Sequence, residues 1–279
     1  MHYIMFPKLH LYFNIDPVAV TIGNLDIYWY GIIIAVAVTV GYFLAMRIIE
    51  HFGYTKDDVS NVLMISTIVG VVCARMYYVV FNFDMFRDNL LDILNLRTGG
   101  LAIYGGIIGA VVSVYIYCVH KKYNFLNFID VLIPYLALGQ SIGRWGNFAN
   151  QEAFGVNTDM PWGMSGDLIN KEITKLMAKG VNITKDLVHP TFLYESIINI
   201  IIFIILCKVR KNKKFDGSVL CLYMILYGIA RFFIEGLRID SLMFLGFRVS
   251  KVLSFLLVVI FSFVFFHEKR KQILNKSGE

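Results

Sequence analysis

Charge is scarce in this chain. Only 16% of its 279 residues are Asp, Glu, Lys or Arg, where a soluble domain carries about 25%. Together with a hydrophobic share of 57%, this excludes an ordinary soluble globular protein and predicts one that crosses a membrane several times. Cysteine is scarce too. Cys73, Cys118, Cys207 and Cys221 all fall inside apolar runs without metal-ligand spacing, so they read as small core residues rather than ligands or disulfide partners. No His/Cys cluster offers a metal site, and neither metal nor cofactor is expected. With five prolines, no Pro/Ser-rich linker, low-complexity tract or internal repeat divides the chain, and residues 1–279 read as one domain. The N-terminus lacks a basic stretch before a short apolar run, so a cleaved signal peptide is not expected; residues 1–26 read as an ordered external segment. The surplus of positive charge, +6, does not imply nucleic acid, because membrane proteins collect basic residues in cytoplasmic loops.

What the sequence has instead is long apolar runs. A span needs roughly 20 apolar residues to cross about 30 Å of hydrocarbon. Candidates are 27–48, 59–81, 100–119, 126–142, 191–208, 218–238 and 249–266: an all-α polytopic protein of about seven transmembrane helices. The fourth is the weakest, interrupted by Asp130 and Pro134. Lys121–Lys122, the cluster at 208–214 and the basic tail at 269–276 fall on one side of a seven-span chain, which should be the cytoplasm. The N-terminus is then outside, the C-terminus cytoplasmic, and residues 156–188 form an external cap between spans four and five.

The polar residues inside these spans gather at one depth. At about 1.5 Å per residue, Arg75 and Arg231 lie deep in spans that end outside. Tyr30, Tyr104 and Glu195 lie just inside spans that begin outside, and Arg144, Asn147 and Glu152 follow the fourth span. Intramembrane charge is expensive and usually faces a cavity or a partner. A single arginine could snorkel; several with carboxylates at one depth favour a shared site. In YGIARFFIEGLR (227–238), Tyr227, Arg231, Glu235 and Arg238 form one helical stripe. Pairing of Arg231 with Glu235 leaves Arg238 over, and a surplus guanidinium near lipid suits a phosphate. In GGLAIYGGIIGA (99–110), Gly105 and Gly109 make a small-xxx-small face, whereas the Tyr104 hydroxyl needs a polar partner. The stretch GRWGNFANQEAFG (143–155) ends an apolar run in arginine, asparagines and glutamate, alternating with Trp145, Phe148 and Phe154 that keep part of it near the lipid.

These segments carry a family resemblance. GRWGNFANQEAFG resembles the signature of the bacterial prolipoprotein diacylglyceryl transferases. WYGIIIA (29–35), GGLAIYGG (99–106), HPTFLYES (189–196) and YGIARFFIEGLR follow in the family's order across nearly the whole chain. The resemblance implies transfer of the diacylglyceryl group of phosphatidylglycerol to the lipobox cysteine of a prolipoprotein signal peptide. A thioether forms and glycerol phosphate leaves, at the outer leaflet of the bacterial plasma membrane. Arg144 matches the family's lipid-phosphate arginine, with Asn147 beside it. Arg231 and Arg238 add charge for the phosphate and for the thiolate, and Glu235 is an arginine partner. Tyr104 stands where many relatives carry histidine. Histidine (pKa ~6.5) suits a thiol proton better than tyrosine (~10), so the position reads first as a hydrogen-bond donor, or as a base if an arginine favours the phenolate. Tyr30, Asn150, Glu152, Tyr227 and His189 complete the substrate-binding set, His189 being an alternative base. Gly146 and Gly155 would let backbone N–H groups approach the phosphate. The competing readings are a lipid-binding transporter or flippase with an outer-leaflet site, and a receptor that binds through the external loop. A transporter would place its charges nearer the midplane and usually carry an internal repeat.

Overall fold

The computed structural model describes residues 2–87, 89–95, 99–239, 241, 243–244 and 246–277. In chain order these form β1 (Tyr3–Phe6), β2 (Leu11–Asn14), β3 (Val18–Ile22), β4 (Leu25–Tyr28), α1 (Trp29–Ile48), α2 (Lys56–Phe81), α3 (Ile103–Lys121) and α4 (Phe125–Asn150). There follow β5 (Ser165–Gly166), α5 (Asp167–Ala178), α6 (Thr191–Lys211), α7 (Ser218–Leu237), β6 (Met243–Phe244), β7 (Phe247–Arg248) and α8 (Val249–Ser277). All the helices except α5 are long and apolar enough to cross a membrane, seven among the described residues. The protein is a multi-pass membrane protein. Its chain packs as two compact units, one of residues 42–131 and the other of residues 1–41 with 132–279.

In the unit of residues 42–131, α2 starts at a capping box: the Thr55 side chain accepts from the Asp58 amide while Asp58 reaches back to the Thr55 N–H, which satisfies two otherwise orphaned donors. Asp58 also accepts from Tyr117 (2.7 Å) and Tyr123 (3.1 Å), tying α2 to the end of α3. Higher up, small residues let the two backbones approach. A Cβ on Gly109 would stand 2.7 Å from Cys73 Cβ and 2.9 Å from the Val69 carbonyl oxygen. Gly109→Leu should therefore force α2 and α3 apart. The expected cost is that of overpacking, about 1–3 kcal/mol, read as earlier thermal unfolding in detergent; an unchanged transition would contradict this close approach.

Arg75 belongs to this unit and has a structural use. Its Nε donates to Ile93 O (2.8 Å), Nη1 to Gly99 O (2.7 Å) and Gly100 O (3.1 Å), and Nη2 to Asp92 O (2.6 Å) and Asn95 O (3.1 Å). That consumes the whole donor set of a guanidinium, and the Phe86 ring lies 5.1 Å from its central carbon. Arg75, grouped by depth with Arg144 and Arg231 in the sequence, thus spends its N–H groups on backbone carbonyls that precede α3.

In the other unit, the helix expected to end near 142 continues to Asn150. The polar half of the signature stays helical because its backbone bonds are internal and its side chains find partners. The segments before the first span and after the fourth combine. β1 pairs antiparallel with β2 (Tyr3↔Asn14) and with β5 (Ile4↔Gly166). Beneath this sheet lies a small core of Ile4, Phe6, Phe154, Met164, Ile169, Ile173, Val188 and Phe192. The α5 helix, which the sequence reading did not anticipate, contributes Ile169 and Ile173 to it.

Candidate active site

The site is built where α4 and α7 end and α6 begins. Glu195, in the first turns of α6 and 3% exposed, is its centre. Arg144 of α4 forms an ion pair with Glu195 Oε2. Arg231 of α7 donates to Oε1 at 2.9 Å, and Arg238 stands 3.7 Å from the same oxygen. Arg231 also pairs through Nη2 with Glu235 Oε2 at 2.6 Å, and Glu235 is 1% exposed. Helix polarity favours this arrangement: a carboxylate sits near the N-terminus of α6 and arginines near the C-termini of α4 and α7. Three guanidinia thus converge on one buried carboxylate. Buried pairs are weak devices for stability alone, and guanidinium groups gathered at one place suit an anion.

The Glu195 carboxylate is placed by its neighbours. Ser141 Oγ donates to Ser196 O (2.7 Å), Ser196 Oγ donates to Ser141 O (2.9 Å), and Trp145 Nε1 donates to Ser196 Oγ (3.2 Å). These bonds clamp α4 to α6 beside the arginine cluster. A polar chain runs outward along the signature. Arg144 Nη1 donates to Asn147 Oδ1 (3.2 Å), Asn147 Nδ2 to Glu152 Oε1 (2.9 Å), and Asn150 Nδ2 to the same oxygen (3.2 Å). Arg144 thus keeps both its Nη atoms engaged while remaining about a fifth exposed.

The glycines act through their missing Cβ. The Gly155 N–H donates to His189 O (2.9 Å) and the Val156 N–H to Leu237 O (2.8 Å), while Gly155 forms an antiparallel bridge with Arg238. A Cβ on Gly155 would stand 2.8 Å from His189 Cβ and 3.0 Å from Leu237 O. This crossing lets the signature loop run against the end of α7, and it uses the amide that the sequence reading offered to a phosphate. Gly146 lies within α4, and a Cβ there would stand 2.6 Å from the Tyr30 ring. Its absence seats Tyr30 on α4 between Arg144 and Asn147 along the chain.

His189 is held by its ring as well. Trp162 Nε1 lies 2.6 Å from the Tyr194 oxygen, and that oxygen lies 3.0 Å from His189 Nδ1. An indole N–H can only donate, so the Tyr194 oxygen accepts from Trp162 while also bonding the imidazole. Partial burial pushes the His189 pKa below its ordinary value, which favours the neutral imidazole. Tyr227 stacks on Tyr223 (5.6 Å between centroids) and lines a small cavity with Glu195 and Arg231.

Of the residues singled out in the sequence, Arg144, Asn147, Asn150, Glu152, Gly155, His189, Tyr30, Tyr227, Arg231, Glu235 and Arg238 all belong to the unit of residues 1–41 and 132–279. Tyr104 opens α3 in the other unit, 40% exposed; among the described residues its hydroxyl makes no hydrogen bond. Two participants were not in the expected site list. Glu195 had been noted just inside the start of its span, but its role as the shared partner of three arginines was not foreseen. Arg248, whose Nη1 donates to Glu235 O, gave no signal beyond a basic residue at the start of the last span.

Comparison with known proteins identifies the family. The family model for prolipoprotein diacylglyceryl transferase matches residues 17–267. A protein of Clostridioides difficile (strain 630), named phosphatidylglycerol–prolipoprotein diacylglyceryl transferase, is 44% identical over 263 residues, 94% of this chain and 99% of its own. Proteins of the same name from Finegoldia magna and Clostridium botulinum (strain Loch Maree / Type A3) are 43% and 42% identical, over 95% and 92% of this chain and 99% and 98% of their own. The chain belongs to the prolipoprotein diacylglyceryl transferase family.

Proposed function

We propose that this protein transfers the diacylglyceryl group of phosphatidylglycerol to the cysteine thiol of a prolipoprotein lipobox. The observation that carries the reading is the convergence of three guanidinium groups on Glu195 at the helix ends. In this reaction the cysteine sulfur attacks the glycerol carbon that bears the phosphate oxygen. The C–S bond forms as the C–O bond breaks, and the electron pair leaves on the phosphate. The thiol proton ends on the released glycerol phosphate or on water, so atoms and charge balance. Charge moves from sulfur to phosphate, and a fixed cationic site away from bulk water stabilises both ends of that path.

In this reading Arg144 and Asn147 hold the lipid phosphate, with Arg238 and Arg231 supplying further charge. Glu195 and Glu235 aim the guanidinia. Asn150 and Glu152 orient Asn147, while Tyr30, Tyr227, Gly155 and His189 shape the walls. The whole chain serves as one catalytic domain with residues 156–188 as its cap. The basic segments at 121–122 and 208–214 support a cytoplasmic side for the opposite helix ends, and in this reading the site opens at the outer leaflet of the bacterial cell membrane, where lipid headgroups and exported signal peptides meet.

Purified protein incubated with phosphatidylglycerol and a lipobox peptide tests the reading by mass spectrometry. A diacylglyceryl increment on the cysteine is expected; an unmodified peptide from folded, lipid-supplied protein would contradict it. The donor role of Tyr104 gives a second test. Tyr104→Phe should lower turnover by about 10²-fold, the low end of what one proton-handling group contributes, with little change in pH profile. If Tyr104→His instead raised activity and moved the pH optimum downward, the position would be the base.

A further inference from the structure

We infer that the groove between α5 and the end of the signature binds the stretch of prolipoprotein that directly follows the acceptor cysteine. This rests on the transferase reading and extends it to a polypeptide subsite.

The groove measures about 680 Å³ and is lined by Asn150–Phe154, by α5 and by Ile239. A hydrogen-bond chain links it to the arginine cluster. Glu152, which lines it, accepts from Asn147, and Asn147 accepts from Arg144. Its lining is mixed. Phe154, Leu168 and Leu176 supply apolar surface, while Glu152, Lys171 and Lys175 supply charge of both signs. Acyl chains would call for a continuous apolar wall, which this is not.

Two side-chain amides in the wall also lack partners among the described residues. Gln151 is 3% exposed and its Oε1 accepts from the Leu168 amide (3.0 Å), which leaves Nε2 as an unmet donor. Asn150 donates through Nδ2 to Glu152 (3.2 Å), which leaves Oδ1 as an unmet acceptor. Buried polar groups are normally satisfied, and those that are not call for an explanation. A donor and an acceptor on successive residues match the alternating carbonyl and N–H of an extended peptide. The geometry of the reactants agrees. Beyond its phosphate the lipid ends in glycerol, whereas the polypeptide continues past the reacting cysteine and must leave the arginine cluster along some surface.

Two acceptor peptides with the same lipobox test this, one ending one residue after the cysteine and one continuing for about ten, near the ~3.3 Å per residue of an extended chain. With the wild-type protein, the longer peptide should show a KM at least five-fold lower at similar kcat. Thr174→Trp, on the exposed face of α5, should fill the groove and raise the KM of the longer peptide to that of the shorter. The shorter peptide should be unaffected, as should both peptides with the control Lys179→Trp beyond the end of α5. Equal KM values for the two peptides in the wild type, or a Thr174→Trp protein that keeps their ratio, would overturn the subsite. Failure of the wild type to modify either peptide would overturn the transferase reading beneath it.

Discussion

The Arg144→Ala protein is expected to lose at least ~10²–10³-fold in kcat, the size of effect seen when one preorganised donor to a developing anion is removed. Arg144 is the most exposed of the three arginines that meet Glu195, and its second bond goes to Asn147 in the signature. Removing it leaves the Glu195 carboxylate still paired with Arg231 at 2.9 Å and near Arg238 at 3.7 Å. No buried anion is orphaned, so the fold should survive. Arg144→Lys should recover only part of the activity, because an ammonium restores charge without the planar fork that meets two oxygens at once. Turnover measured beside thermal unfolding in detergent checks both halves. Near-normal transfer by a folded Arg144→Ala protein would remove the phosphate role.

Glu195→Leu should do the opposite damage and unfold the site. With the carboxylate gone, Arg144, Arg231 and Arg238 lose the anion they share, while Arg231 keeps its pair with Glu235. Breaking a buried pair by removing one partner typically costs about 3–5 kcal/mol, because the remaining charge is left uncompensated. The expected result is a sharply shortened half-life in detergent at a fixed temperature and no measurable transfer. Glu195→Gln keeps the shape and a hydrogen-bond acceptor, so it should be more stable than Glu195→Leu yet still nearly inactive. Wild-type stability in either variant would mean that the arginines are held apart by something other than this carboxylate.

The spans were legible because hydrocarbon thickness imposes a length and a composition on any helix that crosses it. The end of α4 was not, because hydropathy falls at the signature while the helix does not. Asn147 and Asn150 stay helical to Asn150, and the hydrogen bonds they make with Glu152 are not visible in a hydropathy profile. The stripe of Tyr227, Arg231, Glu235 and Arg238 was readable because it repeats within one helix, and the Arg231–Glu235 pair is present at 2.6 Å. Glu195 as a hub was not readable, since its partners come from two other helices and sequence spacing says nothing of such meetings. Arg75 shows the limit of depth as a guide: a buried guanidinium can be satisfied by five backbone carbonyls as well as by a ligand. In α5, Ile169, Ile173 and Leu176 do carry helical spacing, but three apolar positions among lysines and asparagines are a faint signal in a long polar segment.

The central claim is that the guanidinium cluster holds the lipid phosphate while the diacylglyceryl group passes from it to a thiol. Phosphorus-31 NMR of phosphatidylglycerol with the wild-type protein tests it most directly, using paired peptides that carry cysteine or serine at the acceptor position. The account predicts that the phosphodiester signal gives way to a phosphate monoester, one for one with thioether formed, with the cysteine peptide alone. A diester that persists with the cysteine peptide, or a monoester that appears equally with serine, would contradict it.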